Sequence, residues 1–176
     1  MEFQKLEPQL SDETLEAIRM LGFVKMTPVQ ASTVPLFLKN KDVCVEATTG
    51  SGKTLAFGIP CFEILKRSGS ELRKHDVGAL IVAPTRELAA QIHDVLSKLS
   101  EQHKSIQCRL FVGGTSVDEC SAEFDEFGAQ IVIGTPGRII DIQKRSVFMS
   151  FKKLEVTYRI IGHCIDDGDD DEEGCR

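Results

Sequence analysis

The stretch "VCVEATTGSGKTLAFGIPCFEILKR", residues 43–67, decides the fold. Its first five residues are predicted to form a buried strand, and residues 54–67 are predicted to form a helix with Gly58 and Pro60 as weak points. The segment between them, "ATTGSGKT", has the A/G-x-x-x-x-G-K-T form of a phosphate-binding loop, with Ala47 where the usual pattern has its first glycine. A strand, this loop and a helix in that order predict a nucleoside triphosphate site.

Each residue type in the loop suits phosphate chemistry. Gly50 and Gly52 allow the backbone to turn so that consecutive N–H groups point at phosphate oxygens. Lys53 supplies a mobile positive charge for the β and γ phosphates, and Thr54 offers a hydroxyl ligand for magnesium. The alternative is a glycine-serine turn with a chance Gly-Lys-Thr, which the flanking strand and helix disfavour. The predicted ATP-binding residues of this loop are Ala47, Thr48, Thr49, Gly50, Ser51, Gly52, Lys53 and Thr54, with Thr54 as the magnesium ligand.

Helical and strand patterns alternate along the rest of the chain. Ser11 is a good N-cap for a helix whose apolar residues recur at Leu15 and Ile18 before Gly22 ends it. Three further strands are predicted at "ALIVA" (79–83), "IQCRLFVGG" (106–114) and "QIVIGT" (130–135), with helices between them. This alternation predicts an open, doubly wound parallel α/β sheet, in which ligands bind at the carboxyl ends of the strands.

Composition indicates one globular domain without a membrane span. The chain has 176 residues, 41% hydrophobic and 27% charged, and no apolar run approaches the roughly 20 residues that cross a bilayer. The N-terminus is acidic and has no apolar stretch, so we expect an intracellular protein without a secretory signal. Six cysteines are scattered without a C-x-x-C pair, so no zinc site is expected. Those flanked by apolar residues are expected to be buried free thiols: Cys44, Cys61 and Cys108.

The segment "GFVKMTPVQ", residues 22–30, places an aromatic residue and a glutamine just before the first predicted strand. Gln30 can both donate to and accept from an adenine edge, and Phe23 can stack on the ring. This segment is therefore predicted to recognise adenine.

Three successive strand ends carry groups suited to a phosphodiester backbone. Each string alone has an ordinary structural alternative, as a helix N-terminus or a tight turn. Together they present N–H groups, hydroxyls and arginines along one edge of the predicted sheet, a track for RNA without base specificity. The residues are Pro84, Thr85 and Arg86 after the second strand, Gly113 and Gly114 after the third, and Thr135, Pro136, Gly137 and Arg138 after the fourth.

In this order the motifs closely resemble the DEAD-box RNA helicases. The adenine-recognition motif matches at Phe23, Thr27, Pro28 and Gln30, the phosphate loop at 47–54, and the RNA motifs at 84–91, 113–114 and 135–138. The resemblance runs from about residue 3 to residue 156, so residues 1–156 are expected to form part of an N-terminal RecA-like domain.

The resemblance implies an RNA-dependent ATPase that uses ATP and magnesium and separates short duplexes locally. In that family two RecA-like domains close around ATP and RNA. "MTPVQAST" together with "TTGSGKT" resembles the branch concerned with large-subunit ribosome assembly, which implies a nuclear or nucleolar location.

The chain departs from the family after "FKKLEV", residues 151–156. The family continues with a short apolar strand and the Asp-Glu-Ala-Asp box, near positions 160–163, whose acids hold magnesium and help activate water. Here those positions are Ile160, Ile161, Gly162 and His163. A substitute in "DD" at 166–167 requires a shift of six residues, about 20 Å of strand. We instead expect residues 157–176 to be a divergent acidic tail, disordered from residue 166.

The Ser-Ala-Thr motif and the second RecA-like domain are also missing from the sequence, so the sheet is expected to be incomplete at its C-terminal end. The chain itself is then a catalytically incomplete fragment. The alternatives are a non-catalytic nucleotide- or RNA-binding module, a non-functional product of an alternative transcript or gene model, and a small P-loop kinase, which requires the other motifs to be coincidental. The segment "VTYRII", residues 156–161, is β-prone, and we hypothesise that it covers the edge that the missing strands leave open.

Overall fold

The computed structural model describes residues 1–67 and 72–160. Residues 161–176 of the predicted acidic tail, among them 166–167, lie outside these ranges, as do residues 68–71, whereas residues 157–160 of that tail are described. The described strands are β1 (Ala79–Val82), β2 (Cys108–Phe111), β3 (Ile131–Gly134) and β4 (Val156–Arg159). The described α-helices are α1 (Asp12–Met20), α2 (Pro28–Phe37), α3 (Lys53–Arg67), α4 (Arg86–Ser100), α5 (Val117–Phe127) and α6 (Pro136–Arg145), preceded by a 3₁₀ turn at Phe3–Lys5.

The four strands form one parallel sheet in the order β2-β3-β1-β4. Their register places Phe111, Gly134, Val82 and Arg159 in one row across the sheet, so all four strands end together. The segments that follow the strands therefore meet at one edge, as the sequence predicts.

Helices cover both faces of the sheet, which confirms the doubly wound α/β fold. Ile131 and Ile133 of β3 lie in the larger core, with the buried residues of α1, α3 and α4. Val132, between them, lies in a second core with Phe124 of α5 and Ile142 of α6. The alternation along β3 is the period-two geometry of a strand buried on both sides.

Two helices were missed by the sequence analysis, although each begins with the same signal. Thr27 precedes Pro28 at the start of α2, and Thr135 precedes Pro136 at the start of α6. Proline favours the first helical position, because its fixed φ suits the helix and its missing N–H would have no partner there. The Thr-Pro pairs, predicted to be ligand-binding strings and turns, thus also begin helices.

The predicted first strand is not formed. Residues 43–47 are in no strand, and their side chains alternate between half-buried and exposed, with Cys44 exposed. A strand needs a hydrogen-bonded neighbour about 4.8 Å away, but a groove of about 750 Å³ separates the start of this segment, at Asp42 and Val43, from β4. The prediction that Cys44 is a buried thiol is therefore also wrong.

The thiols of Cys61 and Cys108 fit the apolar role predicted for them. Cys61 is fully buried in α3, and its burial raises the pKa of its thiol. Cys108 is half-buried in β2, and desolvation raises the pKa of its thiol to about 12. Thiols with raised pKa values are poor nucleophiles at neutral pH.

The strand hypothesis for the segment beginning at Val156 is confirmed. β4 pairs in parallel with β1, so β1 lies inside the sheet instead of at its edge. Val156, Tyr158 and Ile160 pack on the larger core, and the Tyr158 ring lies 5.3 Å from the Phe37 ring and 5.0 Å from the Phe57 ring. Desolvation raises the pKa of the Tyr158 hydroxyl.

A buried polar network joins α1 to α3. The Ser11 side chain caps α1, and Glu63 Oε1 accepts hydrogen bonds from Ser11 N at 3.0 Å, Ser11 Oγ at 2.6 Å and Thr14 Oγ1 at 2.5 Å. The Thr14 hydroxyl also lies 3.1 Å from His103 Nε2. Desolvation lowers the pKa of His103, whereas the nearby Glu63 carboxylate acts in the opposite direction. The carboxylate is thus compensated by hydrogen bonds, as a buried charge must be.

Candidate nucleotide and nucleic-acid site

The phosphate-binding loop turns on two glycines with positive φ. Gly50 has φ of 80° and Gly52 has φ of 87°, values that side-chain-bearing residues rarely adopt. α3 begins at Lys53, directly after the second of them. The positive end of the helix dipole therefore points at the loop, as the sequence predicts for an anion site.

The segment predicted to recognise adenine is hydrogen-bonded to this loop. Gln30 Nε2 donates a hydrogen bond to Gly52 O at 3.1 Å, and Gln30 Oε1 accepts one from Thr27 N at 3.0 Å within a capping box. A Cβ atom at Gly52 would lie 2.5 Å from Gln30 Nε2. Gln30 is only 2% exposed, so in this conformation its amide holds the loop, whereas the Phe23 ring is 46% exposed.

Lys53 folds back into the loop. Its Nζ donates hydrogen bonds to Ala47 O and, at 2.7 Å, to Thr48 O. Ser51 Oγ is buried and has no hydrogen-bond partner among the described residues. Lys53 bonds to two backbone carbonyls, and the same loop holds a buried hydroxyl without a partner among the described residues. Both features fit a phosphate ligand, because buried polar groups normally have partners.

At the end of β1, α4 begins with the predicted RNA-binding string. Thr85 caps the helix by accepting a hydrogen bond from Leu88 N at 3.2 Å. Pro84, Thr85 and Arg86 are all exposed. This helix N-terminus therefore faces solvent at the carboxyl edge of the sheet, where backbone N–H groups suit a phosphate.

At the end of β2, the glycine pair lies against Arg86. A Cβ at Gly113 would lie 2.5 Å from Arg86 Nη2, so only glycine allows the guanidinium group to approach this closely. Gly114 has φ of 113° and is exposed. The structure thus brings together two of the three predicted RNA-binding strings.

At the end of β3, the third string begins α6. Thr135 N donates a hydrogen bond to Phe111 O at 3.0 Å, and the Thr135 side chain makes no cap bond. Pro136 and Gly137 are exposed, whereas Arg138 is half-buried and bonds to Thr115, a residue that the sequence analysis did not single out. The sequence feature that could have singled out Thr115 is its position directly after Gly113 and Gly114.

The end of β4 carries no carboxylate among the described residues. The strand ends at the exposed Arg159, in the same row as Val82 and Gly134, and Ile160 follows. In the part of the chain that the structure describes, no group of three or more His, Cys, Asp or Glu residues could hold a metal ion. Across the same residues no helix is long and apolar enough to span a membrane.

The fold and the site define a P-loop domain of the helicase type. A family model described as DEAD/DEAH box helicase matches residues 27–161, and the chain belongs to this family. The match covers the phosphate-binding loop, all three predicted RNA-binding strings and β4.

Known proteins agree with this assignment. The chain is 46% identical over 155 residues to DEAD-box ATP-dependent RNA helicase 49 of Arabidopsis thaliana, covering 88% of this chain and 28% of that protein. It is 48% identical over 143 residues to ATP-dependent RNA helicase DDX55 of Mus musculus, covering 81% of this chain and 24% of that protein. The chain thus spans about a quarter of the length of these curated relatives.

The fold is also similar to a solved helicase structure. Mss116p bound to single-stranded RNA and AMP-PNP matches with a TM-score of 0.79 and 32% identity, over 90% of this chain and 32% of that chain. This likeness confirms the RecA-like parallel α/β fold.

Proposed function

We propose that this domain binds ATP and the backbone of RNA as part of an ATP-dependent RNA helicase. The observation that carries the proposal is the hydrogen bond from Gln30 Nε2 to Gly52 O. It joins the adenine-recognition segment to the phosphate-binding loop, so one ligand with a base at one end and phosphates at the other can contact both. The relatives named as ATP-dependent RNA helicases support the same activity.

ATP would lie with its phosphates in the 47–54 loop. Lys53 exchanges its bonds to the Ala47 and Thr48 carbonyls for the β and γ phosphates, and Ser51 Oγ gains a partner. The Thr54 hydroxyl is the proposed protein ligand for magnesium, which neutralises phosphate charge when bound. Phe23, exposed in this structure, stacks on the adenine ring.

RNA would lie along the carboxyl edge of the sheet. Helices α4 and α6 begin at this edge, with Thr85 and Gly137 exposed. Arg86 adds positive charge between the two helix N-termini. Phosphate contacts of this kind position a strand without reading its sequence. Base-independent binding is therefore expected.

Hydrolysis by this chain alone is not part of the proposal. The catalytic acids of the family would follow β4, and the residues after Arg159 are Ile160, Ile161, Gly162 and His163. A non-catalytic nucleotide- and RNA-binding module is therefore the second candidate function. Turnover of ATP that RNA stimulates and that Lys53→Ala abolishes would contradict the second candidate.

We also propose a role in large-subunit ribosome assembly, with a nucleolar location, for the whole helicase to which this domain would belong. Its support is the resemblance of the segments "MTPVQAST" and "TTGSGKT" to that branch of the family. Fluorescent tagging of that whole helicase tests the location. A nucleolar signal is expected, and exclusion from the nucleus would contradict the proposal.

The first experiment measures thermal unfolding of the chain with and without magnesium ADP. A ligand that binds the folded state at 100 times its Kd stabilises it by about 2.7 kcal/mol. The parent chain should therefore unfold at a higher temperature with ADP, and Lys53→Ala should not. Lys104→Ala, an exposed lysine just before β2 at the opposite edge of the sheet, is the matched control. An unchanged midpoint in the parent chain would reject the nucleotide site.

A further inference from the structure

The turn after β2 lies between two arginines from different helices. Arg86, at the start of α4, lies against Gly113, where a Cβ would meet its Nη2 at 2.5 Å. Arg138, in the first turn of α6, reaches the other end of the turn at Thr115. A bridge between Gly113 and Thr115 closes the turn itself. The turn is thus connected to both helices whose N-termini face the proposed RNA edge.

Arg138 makes its contacts through one nitrogen. Its Nη2 donates hydrogen bonds to Thr115 O, to Thr115 Oγ1 at 3.0 Å and toward Cys120 Sγ at 3.5 Å. Thr115 Oγ1 in turn lies 3.1 Å from Cys120 Sγ on α5. Arg138 Nε is buried and has no partner among the described residues. The guanidinium group is therefore directed at Thr115 on the neighbouring turn, with its Nε buried and its bonds to Thr115 at the surface.

We propose that Thr115 is a positioning residue for RNA binding, which acts by holding Arg138 and hence the start of α6 at a fixed distance from the glycine pair. This inference rests on the proposed RNA-binding function and alters one part of it. Arg138, predicted from the sequence to contact RNA, acts here as a connection between the two phosphate-binding segments. The RNA backbone contacts Gly114 on one side and the first turn of α6 on the other.

The physical reason is pre-organisation. A phosphodiester backbone has a fixed spacing between phosphates, so two binding segments contribute together only when their separation matches it. Segments already held in place lose less conformational entropy on binding. Removal of the Thr115 hydroxyl leaves the carbonyl bond to Arg138 but takes away one of two strong acceptors, and a hydrogen bond to a charged group is stronger than a neutral one.

The test uses two variants of similar shape. Thr115→Val keeps the branched side chain and removes the hydroxyl, whereas Thr115→Ser keeps the hydroxyl. We expect the Kd for a single-stranded RNA, measured by fluorescence anisotropy, to rise about five- to tenfold in Thr115→Val. Thr115→Ser should stay within about twofold of the parent chain. The unfolding temperature of Thr115→Val should fall by no more than about 4 °C. Its increase with magnesium ADP should be the same in all three proteins, which separates positioning from a loss of fold.

A direct phosphate contact by Arg138 would give a different signature. Neutralising one phosphate contact lowers the slope of log Kd against log salt by about one. In the positioning role, Thr115→Val and Arg138→Ala both weaken binding with the slope unchanged, and the double variant is no weaker than Arg138→Ala alone. A reduced slope in Arg138→Ala, additive losses, or an unchanged Kd in Thr115→Val would each overturn the inference.

A measurement without RNA separates this inference from the proposed function. Amide hydrogen exchange at residues 113–116 and 135–139 should be faster in Thr115→Val than in the parent chain, and unchanged in Thr115→Ser. If the parent chain binds no RNA, the proposed function fails and the RNA part of the inference fails with it. If RNA binds but exchange is equal in all three proteins, only the connection through Thr115 is rejected.

Discussion

Gln30 Nε2 donates a hydrogen bond to Gly52 O at 3.1 Å, and this contact fixes the phosphate-binding loop to the segment that precedes it. Gly52→Ala should disrupt it, because Gly52 has φ of 87° and a Cβ there would lie 2.5 Å from Gln30 Nε2. The strained backbone costs about 1–3 kcal/mol of unfolding free energy. Urea denaturation measures the loss, and ADP should no longer raise the unfolding temperature.

The control for that substitution is Gly137→Ala, compared for stability alone. Gly137 lies in the first turn of α6, its φ is not in the positive range, and a Cβ there meets nothing within 4 Å. Its unfolding free energy should be unchanged or up to about 1 kcal/mol higher. Equal stability of Gly52→Ala and the parent chain would show that the loop adopts another conformation in solution.

The stability of the domain should fall at mildly acidic pH because of His103. Desolvation lowers the pKa of this ring in the folded state, so the unfolded chain takes up a proton first as the pH falls. The contribution of neutral His103 is fully present above the ordinary value near 6.5 and is lost as the pH falls through that value toward the folded pKa. The charged groups that act on His103 are Glu63, Lys66 and Glu13.

Unfolding temperatures recorded between pH 8 and pH 5 test this expectation. His103→Gln should give a flatter profile than the parent chain. His93, whose pKa is also lowered by desolvation, contributes in the same direction, so His93→Gln should flatten the profile separately. A parent profile that stays level over this range would contradict the assignment of a neutral buried His103.

Tyr158 contributes to the sheet through its ring and not through its hydroxyl. The hydroxyl is buried with no hydrogen-bond partner among the described residues, whereas the ring packs on Phe37 and Phe57. Tyr158→Phe should therefore be neutral or raise the unfolding free energy by up to about 1 kcal/mol. Tyr158→Ala should lower it by about 3 kcal/mol. A larger loss of unfolding free energy for Tyr158→Phe than for Tyr158→Ala in denaturant titrations would show that the hydroxyl forms a hydrogen bond.

Proline substitutions in β4 should distinguish its paired side from its open side. Val156 N donates to Gly78 O at 3.2 Å and Ile160 N donates to Val82 O at 2.9 Å. Because bonding alternates along a parallel strand, the N–H of Thr157 points away from β1. Val156→Pro should lower the unfolding free energy by about 2–3 kcal/mol, whereas Thr157→Pro should cost less. A larger loss for Thr157→Pro than for Val156→Pro would show that the N–H of Thr157, and not that of Val156, donates to β1.

The sheet and its carboxyl edge could be predicted from the sequence, because those features are local. Apolar runs bounded by glycine and proline gave β1, β2 and β3, and the strings that follow them lie at one edge because the strands are parallel. The segment beginning at Val43 has a similar apolar pattern, but the pattern does not show whether another strand lies close enough to form hydrogen bonds with it. Asp42 and Val43 lie across a groove from β4, and residues 43–47 are in no strand.

The contacts of individual side chains were less predictable. Lys53 in the loop follows from its motif, whereas the bond from Arg138 to Thr115 depends on how α6 packs beside the turn after β2. Residues 23 positions apart in the chain carry no sequence signal of their pairing. The same is true of the Gln30 amide, which was predicted to face adenine and instead holds Gly52 in this structure.

The pairing of β4 with β1 has a consequence for how the protein is made. Among the described strands β4 leaves the ribosome last, and it covers an edge of β1, which is synthesised before β2 and β3. Until Arg159 emerges, a nascent chain carries the apolar β1 with one side bare. Exposed edges of this kind recruit other strands, and contacts between distant parts of a chain form slowly. We therefore expect ribosome-bound intermediates that stop before Val156 to depend on chaperones, and those that extend past Ile160 to be released from them.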